Sequence, residues 1–320
     1  MRAASNSAII ALKLIDRQMK VFITGGTGFI GSYTVMELLN SGDEVTILAR
    51  NPNKVPKFLD MPGVTLLKGE LDDQEVIRTA LPGHQACIHM ALIWDVEPTE
   101  LQLKDTRASV RLFEEAAGAG VEQMIYTSST AVHRPFRNLM DEGDYLEPDD
   151  YYGATKAAAE AFLSAFSYRT GMRCNTVRPG PTVGMPTIEG GPIVTYRRIE
   201  QIAHAAILGE DIHVSKNDGR QFIWAGDLAK LYSAVLHSKA NRETYLGVAK
   251  NYTLWEQIAN DAVSLTGSKS RVVVNDNGAM PRIFDASKIA RDFDFAFDSE
   301  TALRDHLKYV VDSQSTWAPR

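Results

Sequence analysis

The sequence predicts an α/β protein built on a doubly wound parallel sheet, with a smaller second part after it. Two patterns predict this. Short apolar segments rich in β-branched residues alternate with helical stretches through the first half, and a glycine-rich turn joins the first such segment to the first helix. Alternation of this kind means βαβ units, and strands covered on both faces read as near-continuous apolar runs.

The strand candidates are 20–24 (KVFIT), 44–49 (EVTILA), 64–68 (VTLLK), 86–91 (ACIHMA), 123–128 (QMIYTS) and 173–178 (RCNTVR). Helical patterns fill 29–41, 72–81, 100–119 and 152–170, and Gly42 and Gly171 read as helix stops. After residue 179 proline and glycine cluster (PGPTVGMPTIEGGP), and helices and short strands then alternate less regularly. Residues 19–178 therefore read as one unit and 179–320 as a smaller region, with segments such as 221–238 returning to the first. Residues 1–18 read as an extension outside the fold. Their apolar run at 8–15 is interrupted by Lys13, and Met19-Lys20 leads straight into a strand.

Bulk properties narrow the function classes. A chain of 320 residues with a net charge of −6 has no broad basic surface, which argues against nucleic-acid and anionic-membrane partners. No apolar run reaches the roughly 18 residues needed to span a bilayer. Cys87 and Cys174 stand far apart, in no CxxC or Cys/His array. They read as core residues of a protein from a reducing, cytoplasmic compartment, and they support no structural metal.

The turn after the first strand is Thr24-Gly25-Gly26-Thr27-Gly28-Phe29-Ile30-Gly31. Gly25 permits the tight turn, Gly28 admits a pyrophosphate close to the backbone, and Gly31 lets helix and strand approach. The open N–H groups of the helix start then face the phosphates. Strand before and helix after make this a Rossmann-type dinucleotide cradle. The second strand ends Leu48-Ala49-Arg50-Asn51, with Lys54 close by, where an NAD site usually carries a carboxylate for the ribose. A cation there suits a 2′-phosphate, so NADP is the expected cofactor and NAD the alternative.

Tyr152-Gly-Ala-Thr-Lys156 opens an alanine-rich helical stretch. Residues at i and i+4 share a face, so the phenol sits beside the ammonium. A neighbouring Lys⁺ and an oxidised nicotinamide ring both favour the phenolate, which makes Tyr152 a general acid or base. Tyr151, five positions from Lys156, falls off that face. The strand at 123–128 runs into Thr127-Ser128-Ser129-Thr130, at the sheet edge where ligands bind. Ser129 is the first choice, and Ser128 the second, for a hydroxyl that bonds the substrate oxygen. Capping of the following turn is the competing role.

Together these motifs resemble the extended short-chain dehydrogenase/reductases, in the branch called the NAD-dependent epimerase/dehydratase family. The resemblance runs from Met19 nearly to the end. It includes TGGTGFIG, IHMA at 88–91, TSSTAV, YGATK, Arg178-Pro179-Gly180, the stretch from Arg220 to Asp227, and the Asp285–Lys288 element. It implies that Ser129, Tyr152 and Lys156 form the catalytic triad, with Lys156 also on the nicotinamide ribose. By the same resemblance Glu70 and Leu71 lie beside the adenine, Ala91 near the cofactor, and Pro179 and Gly180 near the nicotinamide. Family lyases carry an acidic residue just after the catalytic hydroxyl, where this chain has Thr130 and Ala131, so lyase chemistry is disfavoured. Asp105 stands where many members have Asn, and His133 where many have Tyr.

The expected activity is hydride transfer between NADP(H) and a carbonyl or secondary alcohol. The alternative is a nucleotide-sugar 4-epimerase that retains NAD, and a regulator without catalysis is the third reading. Residues 185–215 and 250–280 are expected to line the substrate pocket. The resemblance also implies a homodimer through the helices at 100–119 and 152–170.

Overall fold

The computed structural model describes residues 18–93, 98–188 and 191–315. The expected extension lies, but for its last residue, outside the described residues. Six of the seven strands of the central sheet stand where the sequence places them. They are β1 (Lys20–Thr24), β2 (Glu44–Ala49), β3 (Val64–Lys68), β4 (Ala86–His89), β5 (Gln123–Thr127) and β6 (Arg173–Pro179). The seventh, β7 (Thr244–Gly247), comes from far down the chain and pairs parallel with β6. The order is β7-β6-β5-β4-β1-β2-β3, with every pair parallel. The order reverses at β1, and a crevice opens at such a switch point outside the carboxyl ends of the strands.

Alternation along each strand feeds two cores. Val21 and Ile23 of β1 face one side with Val45, Ile47 and Ile88, while Phe22 faces the other with Cys87, Met124 and Cys174. On the first side lie α1 (Phe29–Asn40) and, later in the chain, α6 (Ala225–Leu236), which pack on each other through Val35, Leu38, Leu231 and Val235. On the second lie α2 (Gln74–Ala80), α3 (Pro98–Gly118) and α4 (Tyr151–Thr170). Leu112, Phe113, Ala159 and Leu163 meet there. Each large side chain buried this completely contributes roughly 1.5–3 kcal/mol of transfer free energy. Cys87 and Cys174 are both buried and free, and burial pushes the Cys174 thiol up to about 12.

The third core belongs to the second part of the chain. Here α5 (Arg197–Leu208), α7 (Trp255–Thr266) and α9 (Glu300–Ser315) pack around Ile202, Phe222, Trp255 and Leu307. Two-stranded ribbons border it, such as Ile212–Ser215 paired with Val272–Asn275. A short helix, α8 (Ser287–Phe293), ties this part back to the sheet. Its Lys288 Nζ donates to Glu243 Oε2 and to the Thr244 carbonyl, both at 2.7 Å, at the start of β7.

Candidate active site

One cleft of about 970 Å³ runs across the carboxyl edge of the sheet. The structure brings to it Gly25, Thr27, Gly28, Phe29, Ile30 and Gly31 from the turn after β1, and Arg50 from the end of β2. Glu70, Leu71 and Ala91 line it after β3 and β4, Ser129 after β5, Tyr152 and Lys156 from α4, and Pro179 and Gly180 at the end of β6. The side chain of Lys54 lies outside the described residues.

The glycine loop is shaped by contact. Gly25 has φ +76°, the left-handed region that glycine tolerates. A Cβ on Gly31 would stand 2.1 Å from the Gly25 carbonyl oxygen, so no other residue lets α1 start this close to the turn. Gly28 caps the helix without a side-chain acceptor, and its first turn carries no acidic residue. The first amides of α1 are thus open to an anion, which is what a pyrophosphate needs. The residues present fit a nicotinamide dinucleotide.

Across the cleft, Ser129, Tyr152 and Lys156 converge. Asp150 caps α4 by accepting from Gly153 N at 2.6 Å, and it pairs with Arg134. Gly153 carries no Cβ because one would stand 2.8 Å from the Ala131 carbonyl oxygen. That close approach presses α4 onto the 130–133 turn and brings the Tyr152 phenol into hydrogen bonding with Ser129. Ser129 also accepts from Ala131 N at 3.1 Å, so it caps the turn and faces the phenol at once. Ser128 lines the cleft too, with its hydroxyl buried and unbonded among the described residues. Tyr151 is 62% exposed and points out of this arrangement.

Lys156 is 4% exposed, and its Nζ lies 5.0 Å from the Tyr126 ring and 6.0 Å from the Tyr152 ring. Burial lowers the ammonium's proton affinity, and the carboxylates of Asp105 and Glu160 oppose that loss. Burial likewise raises the Tyr152 phenol above its ordinary value, with the Ser129 hydrogen bond pulling the other way and Asp105 adding to the rise. The sequence expectation of a lowered phenol counted the neighbouring cation and an oxidised nicotinamide ring and left out desolvation, which is the largest effect on the phenol in the chain by itself.

Asp105 is a functional-site neighbour that sequence spacing alone did not single out for a role. It is fully buried, its Oδ1 accepts from Ile93 N at 2.9 Å, and its Oδ2 has no hydrogen-bond partner among the described residues. Burial raises its carboxyl, against the pull of Lys156. Below the site His133 is held by Arg178, which also forms a two-pronged bond to Glu160 at 3.0 and 2.6 Å. Burial and Arg178 push His133 down to about 4, so it stays neutral. His89, between Thr24 and Ser109, is pushed down to about 3 by burial and completes a buried hydrogen-bond chain beneath the loop.

The substrate-pocket expectation holds in part. From 185–215, Val194 and Tyr196 line the cleft. Residues 250–280 do not. Thr253–Leu254 pairs with Gly219–Arg220, and α7 packs on α5 and α9. The apolar content of that stretch serves the third core. Arg220, in the family-like stretch, donates to Asp218 at 3.0 Å, lies over Trp255 and hydrogen-bonds the lining residue Tyr196 from behind, without lining the cleft itself. Among the described residues no cluster of His, Cys, Asp and Glu could hold a metal, and no helix is long and apolar enough to cross a membrane.

A model of the NAD-dependent epimerase/dehydratase family matches residues 21–247. An uncharacterized protein of Sinorhizobium fredii is 28% identical over 79% of the chain, which spans 62% of that relative's length. A UDP-glucose 4-epimerase of Neisseria meningitidis serogroup B is 28% identical over 69% of the chain and 74% of its own. The fold superposes on a dTDP-glucose 4,6-dehydratase of Streptomyces venezuelae, solved with NAD bound, with a TM-score of 0.75 and 20% identity. That superposition covers 94% of this chain and 99% of the other.

Proposed function

The chain belongs to the NAD-dependent epimerase/dehydratase family, and from that premise we propose that it is an NADP-preferring reductase of a small carbonyl compound, with Ser129, Tyr152 and Lys156 as its catalytic residues. The carrying observation is the meeting of the Tyr152 phenol, the Ser129 hydroxyl and the buried Lys156 ammonium in the same cleft as the open helix end of α1. The dinucleotide supplies the hydride. The chain does the rest. Ser129 donates a hydrogen bond to the carbonyl oxygen, Tyr152 gives that oxygen its proton, and Lys156 holds the ribose and the local positive charge. A phenol raised by burial remains protonated near neutral pH, which suits a proton donor and hence the reductive direction.

Arg50 supports the NADP preference, since it lines the cleft at the end of β2, where a guanidinium can grip a 2′-phosphate. Glu70, Leu71 and Ala91 are assigned to the adenosine end and its approach, and Pro179 and Gly180 to the nicotinamide end. The cofactor unit is assigned to 19–178 together with α6 and β7. We further assign a cytoplasmic location and a homodimer through α3 and α4, where Leu103, Phe162 and Tyr168 are 74%, 47% and 74% exposed.

The second reading, a nucleotide-sugar 4-epimerase, is favoured by the relative of that name from Neisseria meningitidis. Two measurements separate the readings. Cofactor released from the purified protein and identified by mass is NADP under the first and NAD under the second. Stoichiometric loss of NADPH absorbance with a carbonyl substrate supports reduction. Interconversion of a nucleotide sugar with no net loss rejects it.

A further inference from the structure

The loop at 25–31 forms one wall of the cleft, and α3 forms another. Lys104, Arg107 and Arg111 all line the cleft from α3, and their spacing of three and four residues sets them on one stripe of the helix. All three are exposed. Their neighbours fix where each stands along the cleft. Asp105 acts on Lys156, so that turn of α3 lies at the proton-transfer end. Arg111 stands at the other end. With its amide turned to satisfy both groups, Gln74 accepts from Arg111 Nε at 2.8 Å, and Gln74 opens α2 directly after the lining residues Gly69–Asp72. The helix rises about 9 Å between residues 105 and 111, and Arg107 falls between the two ends. No ion pair joins Arg107 or Lys104 to a carboxylate among the described residues.

We propose that Arg107, with Lys104 beside it, binds the pyrophosphate of the dinucleotide from the α3 side, opposite the open end of α1. The proposal rests on the cofactor reading above and adds a full charge to it. The loop offers backbone dipoles only. A pyrophosphate brings two formal charges, and a guanidinium meets phosphate oxygens with two parallel, charge-assisted bonds. The position midway along α3 selects the pyrophosphate over the 2′-phosphate, which belongs at the end marked by Arg50 and Arg111.

Titration of NADPH and of NADH by nucleotide fluorescence, on the wild type, Arg107→Ala and Lys104→Ala, tests this. Arg107→Ala weakens both nucleotides by a similar factor, about tenfold, and Lys104→Ala weakens both by less. Added salt narrows the gap to wild type. Circular dichroism and melting confirm that these exposed helix positions leave the fold intact. Loss confined to NADPH overturns the proposal, because Arg107 then grips the 2′-phosphate. Unchanged affinity for both also overturns it. A wild-type chain that binds neither nucleotide overturns the cofactor reading itself, and this inference with it.

Discussion

In the seven-stranded sheet the strands stop at a shared edge, and the side chains that meet in the cleft come from just beyond those stops and from the flanking helices α3 and α4. In the α5–α7–α9 core the side chains are as fully buried, but helix lies on helix, and only the segment ahead of α5 reaches the cleft, through Val194 and Tyr196. The contrast separates two kinds of cost. Changes at the sheet edge should remove chemistry and spare stability. Changes in the helical core should remove stability and spare cofactor binding.

The largest expected effect is on chemistry. Tyr152→Phe lowers the rate of carbonyl reduction about 10²–10⁴-fold and leaves the melting temperature and NADPH affinity close to wild type. A variant that keeps its rate breaks the division at its strongest point. Trp255→Ala tests the other side. Trp255 is 3% exposed, stacked on Tyr196 at 5.8 Å and edge-on to Phe222 at 5.8 Å. Its loss costs about 3–5 kcal/mol in denaturant unfolding. NADPH affinity stays the same and the substrate KM rises through Tyr196. Weakened NADPH binding would show that the two regions are coupled.

Gly31→Ala stands on the border. The added Cβ meets the Gly25 carbonyl oxygen, so we expect a loss of about 1–3 kcal/mol and a clear loss of NADPH binding. Stability lost with binding retained would place the loop with the structural half. The smallest effect is far from both. His237 closes α6 and stands 3.2 Å from the Asp43 carboxylate, which raises its ring above the ordinary 6.5. The charged ring stabilises the fold fully below 6.5, and that contribution is lost as pH rises through the raised value. Wild type should therefore lose about 0.5 kcal/mol between pH 6 and pH 8 that His237→Gln does not lose, as read by urea unfolding at each pH. Parallel curves for the two proteins would remove the assigned role of this contact.

The same contrast explains what the sequence reveals. The sheet strands are legible because burial on both faces forces unbroken apolar runs such as Val21-Phe22-Ile23, and the loop is legible because Gly31 has no substitute. β7 escapes. Thr244-Tyr-Leu-Gly247 is short and follows the polar stretch Asn241-Arg-Glu243, and its strand geometry comes from pairing with β6, a contact made almost 70 positions away. β4 stops at His89, two residues short of the expected strand end at 91, because Met90 and Ala91 turn into the cleft. Tyr152 and Lys156 are legible as a pair, but the direction of the phenol's shift is not, since burial depends on everything folded around it. The lining by Val194 and Tyr196 follows from the path of a loop, which periodicity does not encode.

The return of residues 244–247 to the sheet has a consequence for anyone exchanging parts between relatives. A fragment ended at residue 178 would expose the full hydrogen-bonding row of β6 and strip α1 of its packing helix, inviting association between such fragments. A chimera that swaps substrate preference therefore needs at least three junctions, so that the grafted cassette leaves α6 and β7 with the parent that supplies β1.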